Sequence, residues 1–209
     1  MKERHSADFI PVDISEYDVI EAMKRIEGYI DITPGDFKEV YQSAYALAIK
    51  RLLNSLTADK IMTKTVIFVD QGMALVGAAD LLAEKQISGG PVVDSNGKVV
   101  GVVSEKDFLK EMGFGATPSF MQLATHCLNS KSCMIRRLHD KTVGDIMTKP
   151  PITAGSEMTI GTISALFAKH QINRLPIVDD DGRPIGMVTR TDLAHSFDTL
   201  GKRSKNELP

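Results

Sequence analysis

Apolar positions recur every three or four residues in the first quarter of the chain: Val19, Ile20, Met23 and Ile26, then Phe37, Val40, Tyr41, Ala44, Leu47, Ala48 and Leu52. That spacing gathers the apolar side chains on one face of a helix. The first stretch predicts a helix over Ile14–Glu27, opened by the capping-box-like pair Asp13 and Glu16 and closed near Gly28. The second predicts a helix running to about Leu56, with Thr33 as N-cap and Pro34 in the first turn. Such stripes must be covered, so the helices are expected to pack on the following domain or a second copy of the chain, or to dock a partner. Residues 1–12 read as a loose start.

Further along, the pattern alternates between short apolar runs and helical spacing. Pro91–Asp94, Val99–Ser104, Leu175–Asp179 and Ile185–Thr189 read as strands. The last two flank Asp180-Asp181-Gly182-Arg183-Pro184, a hairpin turn in which Gly accepts the positive φ. Val66–Val69 and Ile152-Thr153 read as extended lead-in segments. Helices are predicted over Ala74–Lys85 (Leu75, Ala78, Leu81, Leu82 inward) and Thr159–His170 (Ile160, Ile163, Leu166, Phe167 inward), and again from Glu105 and from Arg190.

These elements are one unit written twice. Ile61-Met62-Thr63-Lys64 returns as Ile146-Met147-Thr148-Lys149, Pro91-Val92-Val93-Asp94 as Pro176-Ile177-Val178-Asp179, and Gly101 through Asp107 as Gly186 through Asp192. Every pair is 85 positions apart, so the copies align without a gap. The order β-α-β-β-α predicts an α/β (α+β) fold, with two tandem repeats packed as a pseudo-two-fold pair behind a small helical segment. One copy of about 50 residues is marginal alone, and pairing buries the exposed sheet faces. The expected organisation is a helical segment over 1–57, repeat one over 58–112, a connecting insert over 113–141, repeat two over 142–199 and a flexible tail over 200–209.

Composition narrows the function more than the fold. A formal charge of −2 makes no electrostatic case for nucleic acid. The N-terminus lacks the apolar core of a signal peptide and no run is long enough to span a membrane, so a cytoplasmic protein is expected. In the insert, Pro118–Cys127 predicts a short helix, and His126, Cys127, Cys133 and His139 raise the question of metal or redox chemistry. The two cysteines lie too far apart for a zinc knuckle, which favours an ordinary surface or dimer-contact loop. Lys131, Arg136, Arg137 and Lys141 read as a solvated face. There is no nucleophile elbow, P-loop or dinucleotide fingerprint, so no enzyme is expected.

The repeated motifs resemble the CBS domain, and the tandem arrangement resembles a Bateman module. The match rests on the Ile-Met-Thr start, the Pro-apolar-Val-Asp strand, and Gly-apolar-Val-(Ser/Thr)-x-x-Asp at the second strand-to-helix junction. The resemblance implies a regulatory module, with no required cofactor, that binds AMP, ADP, ATP or S-adenosylmethionine in clefts between the copies. It also implies a homodimer through the repeat helices and an unknown effector protein. By residue, it implies that Asp107 and Asp192 accept bonds from ribose hydroxyls and that Ser104 and Thr189 reach ribose or phosphate. Ile87, Ser88, Ile172 and Asn173 line the adenine pocket; Ile67 and Ile152, near Thr63 and Thr148, touch the base. Val102, Lys106, Met187 and Thr191 complete the set.

Each of these residues also has a plainer reading. The Asp and Ser/Thr pairs serve equally as helix caps, the isoleucines as core, and Met62, Met147 and Met158 as core. The copies differ in cations: Arg174 and Arg190 stand where copy one has Gly89 and Glu105. Unequal clefts are therefore expected, with the one reached by Arg174 and Arg190 preferring a phosphate and the one around Ser104 and Asp107 holding an uncharged adenosine derivative or nothing. The competing reading is a ligand-free dimerising scaffold.

Overall fold

The computed structural model describes residues 15–26, 31–114, 120–129 and 138–196. The expected loose start, the cap at Asp13, the closure at Gly28, Pro118, the side chains of His126 and Cys127, Lys131, Cys133, Arg136, Arg137 and the tail beyond 199 lie outside the described residues. The chain forms two compact units, Met1–Leu53 and Asn54–Pro209.

The first unit holds α1 (Glu16–Lys24) and most of α2 (Pro34–Ser55). The capping box of α1 lies at Ser15 and Asp18, two residues beyond the expected Asp13 and Glu16. A serine hydroxyl can close such a box in both directions: Ser15 Oγ donates to Asp18 Oδ2 at 2.7 Å and accepts from Asp18 N at 3.2 Å. Glu16 instead becomes the first helical residue, where its charge suits the helix dipole. Thr33 caps α2, accepting from Asp36 N at 3.2 Å. Within its unit α2 buries none of its residues.

The second unit carries both repeats. The first runs α3 (Ala58–Ile61), β1 (Val69–Asp70), α4 (Leu75–Glu84), β2 (Gly89–Val93), β3 (Val99–Ser104) and α5 (Glu105–Glu111). After α6 (Phe120–Asn129), the second runs α7 (Val143–Ile146), α8 (Ile160–His170), β4 (Arg174–Val178), β5 (Pro184–Thr189) and α9 (190–196). The hairpins share one register, Gly89 opposite Ser104 and Arg174 opposite Thr189, with a bulge at the same place in each. Their turns are built alike. Asp94 Oδ1 accepts from the backbone N of Asn96 and Lys98, both at 2.9 Å, and Asp179 Oδ1 does the same for Asp181 and Arg183.

The lead-in strands pair later than expected. β1 lies parallel to β2 through Val69 and Asp70, and its counterpart is a single parallel bridge from Ala154 to Ile177. Val69 and Ala154 are the buried positions, whereas Phe68 is exposed. Val69 and Ala154 are equivalent positions, so both copies begin to pair at the same place, whether Thr65-Val66 or Pro150-Pro151 precedes it.

The repeats exchange their first elements. The core of copy one is Val69, Leu75, Ala78, Leu82, Val92 and Val103, completed by Val143 from α7 of copy two. Burying Val143 contributes about 1.5–3 kcal/mol to that core. Val143 N and Gly144 N donate to Met73 O and Gln71 O at 2.9 and 2.8 Å; in return Ala58 N and Asp59 N of α3 donate to Met158 O and Ser156 O at 2.9 and 3.0 Å. Beyond the short helices, Thr63 bridges to Met187 and Thr148 to Val102. Met62 packs onto Gly186 and Met147 onto Gly101, where a Cβ would sit 2.5 Å from Met147 Sδ.

Candidate ligand clefts

Each second strand ends in a hydroxyl and continues into a helix whose third residue is Asp. Ser104 N and Oγ both donate to Asp107 Oδ2 at 2.8 Å. Thr189 N and Oγ1 both donate to Asp192 Oδ2 at 2.7 Å. The capping reading therefore describes one oxygen of each carboxylate. The other oxygen of Asp107 faces the opposite copy: Oδ1 accepts from Thr148 Oγ1 at 3.1 Å. A carboxylate held from behind by a cap, with its second oxygen at the seam between copies, is a fixed acceptor for a hydroxyl.

Around it the first cleft gathers Ser88, Ser104, Glu105, Asp107 and Val102 from copy one with Thr148 and Arg174 from copy two. Glu105 N is anchored on Ser88 O at 3.1 Å. Arg174 lies opposite Thr189 in its own hairpin, yet its guanidinium crosses to donate to Ser88 Oγ. Sequence reading grouped Arg174 with Arg190; the structure sends its side chain to the cleft of copy one. Burial pulls the Arg174 pKa below its ordinary value, opposed by the negative charges of Glu105 and then Asp107. The group stays cationic, because a guanidinium is not deprotonated in proteins.

The second cleft brings together Thr63, Met187, Thr189 and Asp192, with exposed Arg190 and Thr191 at the start of α9. Asn173 stands at the position of Ser88, and half-buried Ile172 at that of Ile87. Gly89, the twin of Arg174, has φ +146°, and a Cβ there would lie 2.7 Å from Ser104 Cα and against Val103 O. The backbone thus bars a side chain where copy two carries its arginine.

Other predicted positions divide between pocket and core. Ile87 packs against the core of copy one, while Ile67, Ile152 and Ile172 are half-buried. Lys106 is exposed. His139 is exposed, and among the described residues no group of three or more His, Cys, Asp or Glu could hold a metal. Sequence reasoning gave no role to Gly101 and Gly186, which let the Ile-Met-Thr stretches of the opposite copy approach; their recurrence in register with the repeated Ile-Met-Thr was the available signal. A separate hollow of about 640 Å³ beside the second hairpin turn, lined by Glu157, Thr162, Asp179 and Ile185 among others, contains none of the predicted site residues.

Comparison with known proteins picks out two segments of the chain. The CBS domain family model matches residues 58–113 and 143–198. Uncharacterized protein MJ1426 of Methanocaldococcus jannaschii is 34% identical over 167 residues, covering 71% of this chain and 99% of that protein. Arabidopsis thaliana CBSX2, a chloroplastic CBS domain-containing protein, is 30% identical over 62% of this chain, which spans only 57% of the plant protein. The crystal structure of CBSX2 in complex with AMP superposes with a TM-score of 0.54 at 29% identity, over 69% of this chain and 98% of the other. The CBS domain pair of protein MJ0100, crystallised with 5′-methylthioadenosine and S-adenosyl-L-methionine, gives a TM-score of 0.52 at 26% identity, over 69% and 98%. Among the described residues no helix is long and apolar enough to cross a membrane.

Proposed function

The chain belongs to the CBS-domain family, and from that membership we propose that it is a regulatory module that binds adenosine-type ligands between its two copies. The observation that carries this reading is Asp107, capped by Ser104 of its own copy through Oδ2 and bonded to Thr148 of the other through Oδ1. A ribose diol can take the place of the Thr148 hydroxyl on that oxygen, and half-buried isoleucines at Ile67, Ile87, Ile152 and Ile172 suit the faces of a purine. The ligand class is AMP, ADP, ATP, S-adenosylmethionine or a relative. AMP in the CBSX2 complex, and 5′-methylthioadenosine with S-adenosyl-L-methionine in the MJ0100 complex, support the class.

Because acceptor and donor come from different copies, a ligand that replaces their bond acts on how the copies pack. That change is the signal passed to an effector protein. The chain itself performs no catalysis, works in the cytosol and self-associates through the repeat helices. Val76, exposed on α4 beside the buried Leu75 and Ala78, supplies apolar surface for that contact. Thermal unfolding with each ligand tests the reading: at 100 times its dissociation constant a true ligand adds about 2.7 kcal/mol of stability. If AMP, ADP, ATP and S-adenosylmethionine all leave the transition unmoved, the dimerising scaffold is the correct reading.

A further inference from the structure

We propose that two side-chain bonds between the copies latch the first cleft but not the second, so that an adenosine ligand fills the second cleft first. The inference rests on the adenosine-binding reading and adds which cleft answers at which ligand level. Both bonds converge on one strand-to-helix junction. Thr148 of copy two donates from Oγ1 to Asp107 Oδ1 at 3.1 Å, on the oxygen that the Ser104 cap leaves open. The guanidinium of Arg174, also of copy two, donates to Ser88 Oγ. Ser88 stands at that same junction: it precedes Gly89, which lies opposite Ser104, and its carbonyl accepts from Glu105 N at 3.1 Å. A ligand whose ribose takes Asp107 Oδ1 must part the first bond. One that enters between this junction and copy two must part the second as well.

The second cleft has the same backbone frame without the latch. Thr63 and Met187 exchange two backbone hydrogen bonds of 3.0 Å, as Thr148 and Val102 do at 2.9 and 3.1 Å. Thr189 holds Asp192 Oδ2 as Ser104 holds Asp107 Oδ2. Among the described residues, however, no side-chain hydrogen bond joins the copies there. The twin of Arg174 is Gly89, which has no side chain to reach across to Asn173 and, at φ +146°, no room for one. A cleft that is closed at rest binds more weakly by the inverse of its open fraction. Thr148 is exposed, so its bond is a weak one, and the two together correspond to about a tenfold handicap.

The test is titration calorimetry on the full chain with AMP and 5′-methylthioadenosine, carrying forward whichever binds more tightly. Two steps are expected, the weaker about tenfold or more below the tighter. Asp192→Asn, which keeps an oxygen for the Thr189 cap, should abolish the tighter step, and Asp107→Asn the weaker. Ser88→Ala combined with Thr148→Val should strengthen the weaker step about tenfold, or bring it into range if the wild-type chain shows one step only. The tighter step, retained in that chain, reports that it is folded, and each single variant should cover part of the gain. The latch is wrong, while the binding reading stands, if Asp107→Asn abolishes the tighter step or if the wild-type sites are equal. It is equally wrong if removing both bonds leaves the weaker step unchanged or lowers it. If the wild-type chain binds neither probe, both fall.

Discussion

At the scale of single residues, the motif carboxylates hold structure and offer a ligand acceptor through different oxygens, so the two roles are separable by mutation. Asp107→Ala leaves Ser104 as N-cap but removes the acceptor half of the capping box together with the bond to Thr148, and is expected to cost about 1–2 kcal/mol in urea unfolding without any ligand. Thr148→Val keeps the cap and removes the bond between copies, at a cost of about 1 kcal/mol, and it frees Oδ1 for a ribose. Ligand affinity should therefore rise in Thr148→Val and fall in Asp107→Ala; an equal fall in both would give Thr148 a direct role in binding. Asp145 makes the corresponding box at α7, accepting from Thr142 N at 2.8 Å and Oγ1 at 2.9 Å. These bonds, the backbone one foremost, hold its carboxyl below the ordinary range. A depressed folded-state pKa contributes stability in full above the unfolded value of about 3.9 and loses it as pH falls through the folded value. The gap in melting temperature between wild type and Asp145→Ala should be widest near neutrality and close below about pH 4.

At the scale of elements, two kinds of glycine do different work. Gly89 lies where backbone crowds backbone, so Gly89→Ala is expected to destabilise by about 1–3 kcal/mol, and no arginine can be transplanted there from copy two. Gly186 is crowded by the flexible side chain of Met62, so its cost is conditional. Gly186→Ala should be tolerated better alongside Met62→Ala than alone, a coupling that a double-mutant cycle in denaturant measures. Purely additive effects would show that the two residues do not press on each other. These elements also mark what the chain's pattern could and could not reveal. Strands, hairpin turns and main helices followed from periodicity and turn chemistry, because those signals are local. The exchange of α3 and α7 did not, since Ala58 and Val143 look alike whichever copy they bury against. Nor did the path of Arg174: its position was legible, but the pairing with Ser88 depends on how two sheets meet.

At the scale of the whole molecule, the unit from Asn54 contains both clefts, so a chain lacking residues 1–53 should bind its ligands with unchanged affinity by calorimetry. A loss of binding would assign part of the cleft to the N-terminal unit. The reciprocal bridges have a further consequence, for synthesis. Thr63 finds its partner in Met187 and Ala58 finds its in Met158, both of which leave the ribosome long after copy one is complete. The first copy therefore emerges with Met62 uncovered and its own core missing Val143. Contacts this distant along the chain form late and slowly. The gap left for Val143 can be filled as soon as the second repeat begins, whereas the contacts of Met62 with Gly186 and of Thr63 with Met187 wait until nearly all of that repeat has been made.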